Sequence, residues 1–171
     1  MEKKLEFTAF FLFFLLISFA SAATWTVDDS GGANFTTIQA AIDAASNGDK
    51  ILVHGGNYEG FLINKALNLT ALTSPSGNNP VNVSPPNSSV NTLIEISSNN
   101  VVINGFKIDG NGTVDFGMHF SGLLAGNVNI SKNIIFGNEI GLQHNGTGTL
   151  NATSNNWGNC GPDFSPYNNG T

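Results

Sequence analysis

Polar and apolar positions recur along this chain with a long period. Leu93–Asn111 (LIEISSNNVVINGFKIDGN), Asn127–Asn138 (NVNISKNIIFGN) and Glu139–Asn159 each alternate short apolar runs with polar residues. Set in register, Ile103, Ile130 and Ala152 share one position, and Ile108, Ile135 and Trp157 share another, at steps of 27 and 22 residues. Ile96, Phe120 and Leu142 fall at a further inward position, at steps of 24 and 22. Gly110-Asn111, Gly137-Asn138 and Gly158-Asn159 punctuate the units. A repeat of roughly 22–27 residues marks a solenoid, whose units bury their apolar faces only against one another. Asparagine at a shared turn position suits left-handed backbone and stacked side-chain ladders.

The chain before the repeats reads as the opening of such a stack. Ala23–Asp29 (ATWTVDD) suits a short strand that covers an edge, and Ser30-Gly31-Gly32 suits a turn. In FTTIQAAIDAASNGD, Ile38, Ala41, Ile42 and Ala45 recur at helical spacing. Thr36 or Thr37 can cap that helix and Asn47-Gly48 can end it. It is read as a lid, since an exposed first rung invites aggregation. Ile51–Val53, Phe61–Ile63 and Leu67–Leu72 then supply three strands of one rung, with Gly55-Gly56-Asn57 as a turn. The Pro-, Ser- and Asn-rich stretch 73–91 is read as an inserted loop. Within it Val81–Val83 can keep a strand, but Pro75, Pro80, Pro85 and Pro86 argue against a central one. The predicted fold is an all-β solenoid, a right-handed parallel β-helix of four to five rungs with a short N-terminal cap helix. The rungs span 51–159, the strand and cap helix 23–50, and a polar tail 160–171.

The N-terminus changes the picture of where the chain works. Met1-Glu2-Lys3-Lys4 is charged, Phe7–Phe19 is apolar apart from Thr8 and Ser18, and Ala20-Ser21-Ala22 offers an A-x-A cleavage site. This pattern predicts a secretory signal peptide over 1–22, short for a membrane span, and a secreted or cell-surface protein with no stable span after cleavage. Residues 23–171 then hold 10 acidic residues, 4 lysines and no arginine. That balance disfavours nucleic acid and anionic surfaces as partners. Cys160 is the sole cysteine, so no internal disulfide can form and stacking must hold the fold. Nine N-x-S/T triplets begin at Asn34, Asn68, Asn82, Asn87, Asn111, Asn129, Asn145, Asn151 and Asn169. They suggest a glycoprotein, although Asn129 and Asn151 fall within predicted strands.

The stretch WTVDDSGGANFTTIQAAIDAASNGDKILVHGGNYEGFLINKALNLTAL resembles the opening of pectin-methylesterase-like and pectate-lyase-like right-handed parallel β-helices. NNVVINGFKIDGNG and ISKNIIFGNEIGLQ resemble the repeats of NosD-like and archaeal surface-protein β-helices, and NNWGNCGP resembles the motif that ends many of them. The resemblance implies the fold and leaves the activity open, because this fold hosts lyases, hydrolases, esterases and non-enzymatic surface proteins. The lyases of the resemblance use an arginine base with Ca²⁺ held by aspartates, and the esterases pair aspartates with an arginine; this chain has no arginine. Asp115-Phe116-Gly117 only echoes an esterase motif. Copper handling is disfavoured by the single methionine after the leader, Met118, and three histidines.

Two functions follow as expectations. The first is a non-catalytic module that contacts polysaccharide or envelope components, with Tyr58, Phe116, His144 and Trp157 (and Tyr167) as aromatic or polar contacts. It needs no cofactor and no metal. The alternative is a polysaccharide-degrading lyase or hydrolase built on Asp109, Asp115, His119 and Glu139, where Ca²⁺ would enter. Asp115 and Glu139 are 24 residues apart, about one rung, and so are expected a strand spacing apart. A truncated fragment of a longer surface protein is a third reading.

Overall fold

A computed structural model describes residues 21–86, 90–122, 126–144 and 146–163. Most of the predicted leader and polar tail, Tyr167 included, lies outside the described residues, as do the sequons at Asn87, Asn145 and Asn169.

The chain winds into a parallel β-helix of about five turns. One face is a six-stranded sheet of β1 (Thr24–Val27), β2 (Lys50–Val53), β5 (Asn68–Ala71), β8 (Val101–Asn104), β10 (Val128–Ser131) and β12 (Leu150–Asn151), all parallel. The second face is β3 (Gly56–Tyr58), β6 (Val81–Val83) and the first parts of β9 (Lys107–Phe120) and β11 (Ile134–Gln143). The third is β4 (Phe61–Ile63), β7 (Thr92–Ile96), the second parts of β9 and β11, and β13 (Pro162–Asp163). Strands β9 and β11 each turn one corner, and their pairing shifts register between Phe136 and Asn138 as they do so.

Every face sends a column of apolar side chains inward. Ile51, Leu69, Ile103 and Ile130 stand opposite one another on successive strands and are fully buried. Tyr58, Val83, Ile108 and Ile135 form the column of the second face. Ile63, Ile96 and Phe120 form one on the third. Each such side chain contributes roughly 1.5–3 kcal/mol by leaving water. Period-2 alternation on each short strand is therefore what selects the inward set.

The helix α1 (Ile38–Ala44) lies over the open end. The Thr37 side chain accepts from Ala40 N–H, and the helix stops at Ala45, ahead of the expected Asn47-Gly48. Lys65, on the first rung, donates to the carbonyls of Ile42, Asp43 and Ala45 and so satisfies the orphan acceptors of that end. Gln39 of α1 in turn accepts from Leu62 N–H at the exposed edge of β4.

Four expectations are corrected. Leu67–Leu72 does not complete the first rung, because β5 pairs with β2 and so opens the second. The third side is Gly56–Tyr58, within the expected turn, where it pairs with Val81–Val83. The strand Val81–Val83 sits centrally between β3 and β9 despite the prolines around it. The three-residue strand fits between Pro80 and Pro85, so no proline stands where the ladder needs an N–H donor. Leu142 stands opposite Met118 rather than Phe120. The pairing jumps from Phe136↔Asp109 to Asn138↔Val114, so β9 extrudes Gly110–Thr113 where β11 has only Gly137. The step falls from 27 to 24 residues there, and no single offset aligns the two units.

The asparagine ladder also lies elsewhere. Asn138 stands opposite Val114 rather than Asn111. Left-handed backbone stacks instead at the first corner, at Gly105 (φ 85°), Lys132 (φ 58°) and Ser154 (φ 60°). The next position carries buried Asn133, which accepts from Phe106 N–H at 2.9 Å and donates to Ile103 O at 3.2 Å and Asn155 Oδ1 at 3.0 Å. Asn155 donates to Ile130 O at 2.8 Å. Asn133→Ala removes this link between three rungs and strands the Phe106 amide. It should cost about 2–4 kcal/mol in urea unfolding. Lys132→Gly, one residue away, should be neutral or stabilising by up to about 1 kcal/mol, since only backbone strain is relieved.

Candidate functional site

The third face carries a groove that runs across the rungs. In its strands two consecutive residues are buried, Leu93-Ile94 and Gly117-Met118. Thr92, Phe116 and Ile140 form a half-buried row on one side of these pairs, and half-buried Glu95 and His119 with buried Gln143 form a row on the other. Between these rows lies a cavity of about 470 Å³ lined by Asn91, Thr92, Phe116, His119, Phe120, Ser121, Gly122 and Gln143. A second depression of about 340 Å³ adjoins it through Thr92 and extends past Glu95, Leu62 and Glu59 to Gln39 of the cap helix. Leu62, Glu95, His119 and Gln143 occupy one register on four neighbouring strands, a span of about 15 Å.

Within the groove, the Phe116 and His119 rings lie 5.3 Å apart at 33°. Gln143 is only 4% exposed, and among the described residues its Oε1 has no hydrogen-bond partner. His144, one residue on, meets the Phe120 ring edge-on at 4.8 Å and 79°. Burial disfavours its charged form and holds its pKa below the ordinary imidazole value.

The remaining sequence candidates separate. Asp115 and Glu139 do stand side by side, since their neighbours pair as Asn138↔Val114 and Ile140↔Phe116, and both are exposed. They do not line the groove, and His119 lies four residues further along β9, roughly 13 Å of extended chain. Asp109 precedes the extruded turn and accepts from Asn111 N–H at 3.0 Å, a turn-forming role. The four acid and histidine candidates therefore do not share one pocket. Tyr58 is 5% exposed; its hydroxyl donates to His54 O at 2.9 Å and accepts from Asp29 N–H at 3.2 Å. Burial pushes that phenol up to about 12, and the ring offers no open face. Trp157 is half-buried against the core, over Gly141 and Cys160. Cys160 is buried and its thiol donates to Trp157 O. Among the described residues no three His, Cys, Asp or Glu side chains gather to hold a metal ion, and no helix is long and apolar enough to cross a membrane.

Glu95 and Gln143 are groove residues that reading by residue type overlooked. The signal was present in the alignment of Ile96 with Phe120, which sets Glu95 beside His119. Gln143 was hidden by the misplaced Leu142.

No protein-family model and no curated protein matches the sequence. Among solved structures the chain is similar to a mutant of the PL6 family alginate lyase AlyGC, at 20% identity and a TM-score of 0.49. The match covers 70% of this chain and 16% of the lyase, so the chain spans under a fifth of that protein's length.

The depressed pKa of His144 has a pH consequence. The unfolded chain binds a proton near the ordinary value of about 6.5 while the folded chain resists it. Stability is therefore fully present above about pH 6.5 and is lost as pH falls toward the folded pKa. Thermal melts should show this loss, and His144→Phe should flatten it.

Proposed function

We propose that this chain is a secreted or cell-surface β-helix module that binds a neutral polysaccharide along the groove of its third face without cleaving it. The observation that carries the reading is the Phe116–His119 ring pair, 5.3 Å apart in the lining of the groove. The adjacent rings supply an apolar surface on which the C–H face of a sugar can lie. Glu95 and Glu59 on the groove's edge, with a net charge of −6, oppose an anionic polymer and favour an uncharged one. The leader-like N-terminus and the absence of arginine agree with an exported, non-catalytic role.

One observation favours an enzymatic second reading: Glu95 and His119 are cross-strand neighbours inside the groove, an acid and a base in reach of one ligand. Titration calorimetry with neutral oligosaccharides of several linkages separates the two. Binding is expected without new reducing ends or unsaturated product. Phe116→Ala should weaken it about tenfold, equivalent to about 1.4 kcal/mol. Failure to bind any neutral glycan would sink the proposal. Turnover that Glu95→Gln abolishes while binding persists would establish the enzyme instead.

A further inference from the structure

Among the described residues, the first hydrogen bond along the chain is made by the backbone nitrogen of Ala23. It lies 2.7 Å from Oδ1 of Asp49, a side chain only 5% exposed. The other carboxylate oxygen accepts from Ser46 N–H at 2.9 Å and from the Trp25 indole N–H at 3.0 Å. The Ala23 carbonyl accepts from Lys50 N–H at 2.9 Å. Donation from Ser46, then Ala23, then Trp25 holds the Asp49 carboxyl below the usual carboxylate range, with Lys65 adding to the effect. Ser21 and Ala22, by contrast, are exposed and belong to no strand. Among the described residues Ala23 is the first that the fold holds, and it directly follows Ala20-Ser21-Ala22.

We infer that the Ala22–Ala23 bond is a processing site for a leader peptidase that cuts after small residues, and that cutting creates a buried-side ion pair with Asp49. Water adds across the peptide bond: the C–N bond breaks, Ala22 departs as a carboxylate, and the Ala23 nitrogen becomes a primary amine. An α-amine is protonated at neutral pH, its ordinary pKa being about 7.7–8.0. The bond from a neutral amide to the Asp49 carboxylate thereby becomes one between two opposite charges. Because Asp49 also holds Trp25 and Ser46, just past the C-cap of α1, the new charge tightens β1, β2 and the cap helix together. The end of the stack reaches its full strength only once the leader is gone. The inference shares export with the proposed function but is independent of the groove, so loss of glycan binding leaves it standing.

Expressing the full chain in an exporting host and sequencing the secreted product from its N-terminus should give Ala23 as the first residue. Any other first residue, or retention of the leader, overturns the inference. The second measurement compares melting temperatures of a chain that begins at Ala23 and one that begins at Ser21, each released from a fusion without added residues. The longer form should melt about 3 °C lower. Asp49→Asn should lower the shorter form and close the gap. Equal melting of the two forms, or a gap that persists in Asp49→Asn, overturns the ion pair; the comparison with Asp49 intact decides even if the variant does not fold.

Discussion

A rung of three short strands has no hydrogen-bond partner within itself. Its N–H and C=O groups point along the solenoid axis, so each rung is satisfied only by the rungs above and below. Everything distinctive in this molecule answers that constraint. The inward columns of isoleucine, leucine and valine work only if register is held from rung to rung. The corners must therefore turn at the same place each time. Gly105, Lys132 and Ser154 do this with left-handed backbone, and Asn133 and Asn155 tie the turned carbonyls and amides across rungs. A chain with one buried cysteine can manage without a disulfide because these polar ladders take over the role of a staple.

The same constraint makes the first rung a liability. Strand β1 covers one edge, and α1 covers the core. Gln39 then satisfies the Leu62 N–H that a missing rung would have satisfied, while Lys65 and Asp49 satisfy groups at the end of the helix that takes that rung's place. These three residues look like ordinary surface polar residues in the sequence. Their work is visible only once the end of the stack is built, which is why reading along the chain assigns the helix but not its fastenings.

The core and the fold were legible because apolar spacing and rung length carry the same message. Ile103 with Ile130, and Ile108 with Ile135, are adjacent as their spacing implies. Legibility failed where chain length varies at a corner. Four residues at Gly110–Thr113 match one at Gly137, so the step drops from 27 to 24 there, and a 22-residue step from Phe120 to Leu142 misses the true pairing by two and conceals Gln143. It failed again for aromatic residues, since Tyr58 and Phe116 are indistinguishable by type. One is a core member with a satisfied hydroxyl, and the other lines a groove, a difference set by whether each strand position is buried or half-exposed. Asp115 and Glu139 show a third limit: their adjacency was readable from a 24-residue step, but their distance along the strand from His119 keeps them out of its pocket.

The extruded turn at Gly110–Thr113 has an implication beyond alignment. Three extra residues are absorbed at a single corner while the faces on either side keep their pairing. The molecule thus measures itself in rungs and not in residues. Length can be added or removed at that corner without a compensating change elsewhere, so corners are where such a chain can diversify its surface while its interior stays fixed. Asp109, Asn111 and Thr113, which shape that turn, form a socket for variation directly beside the third face.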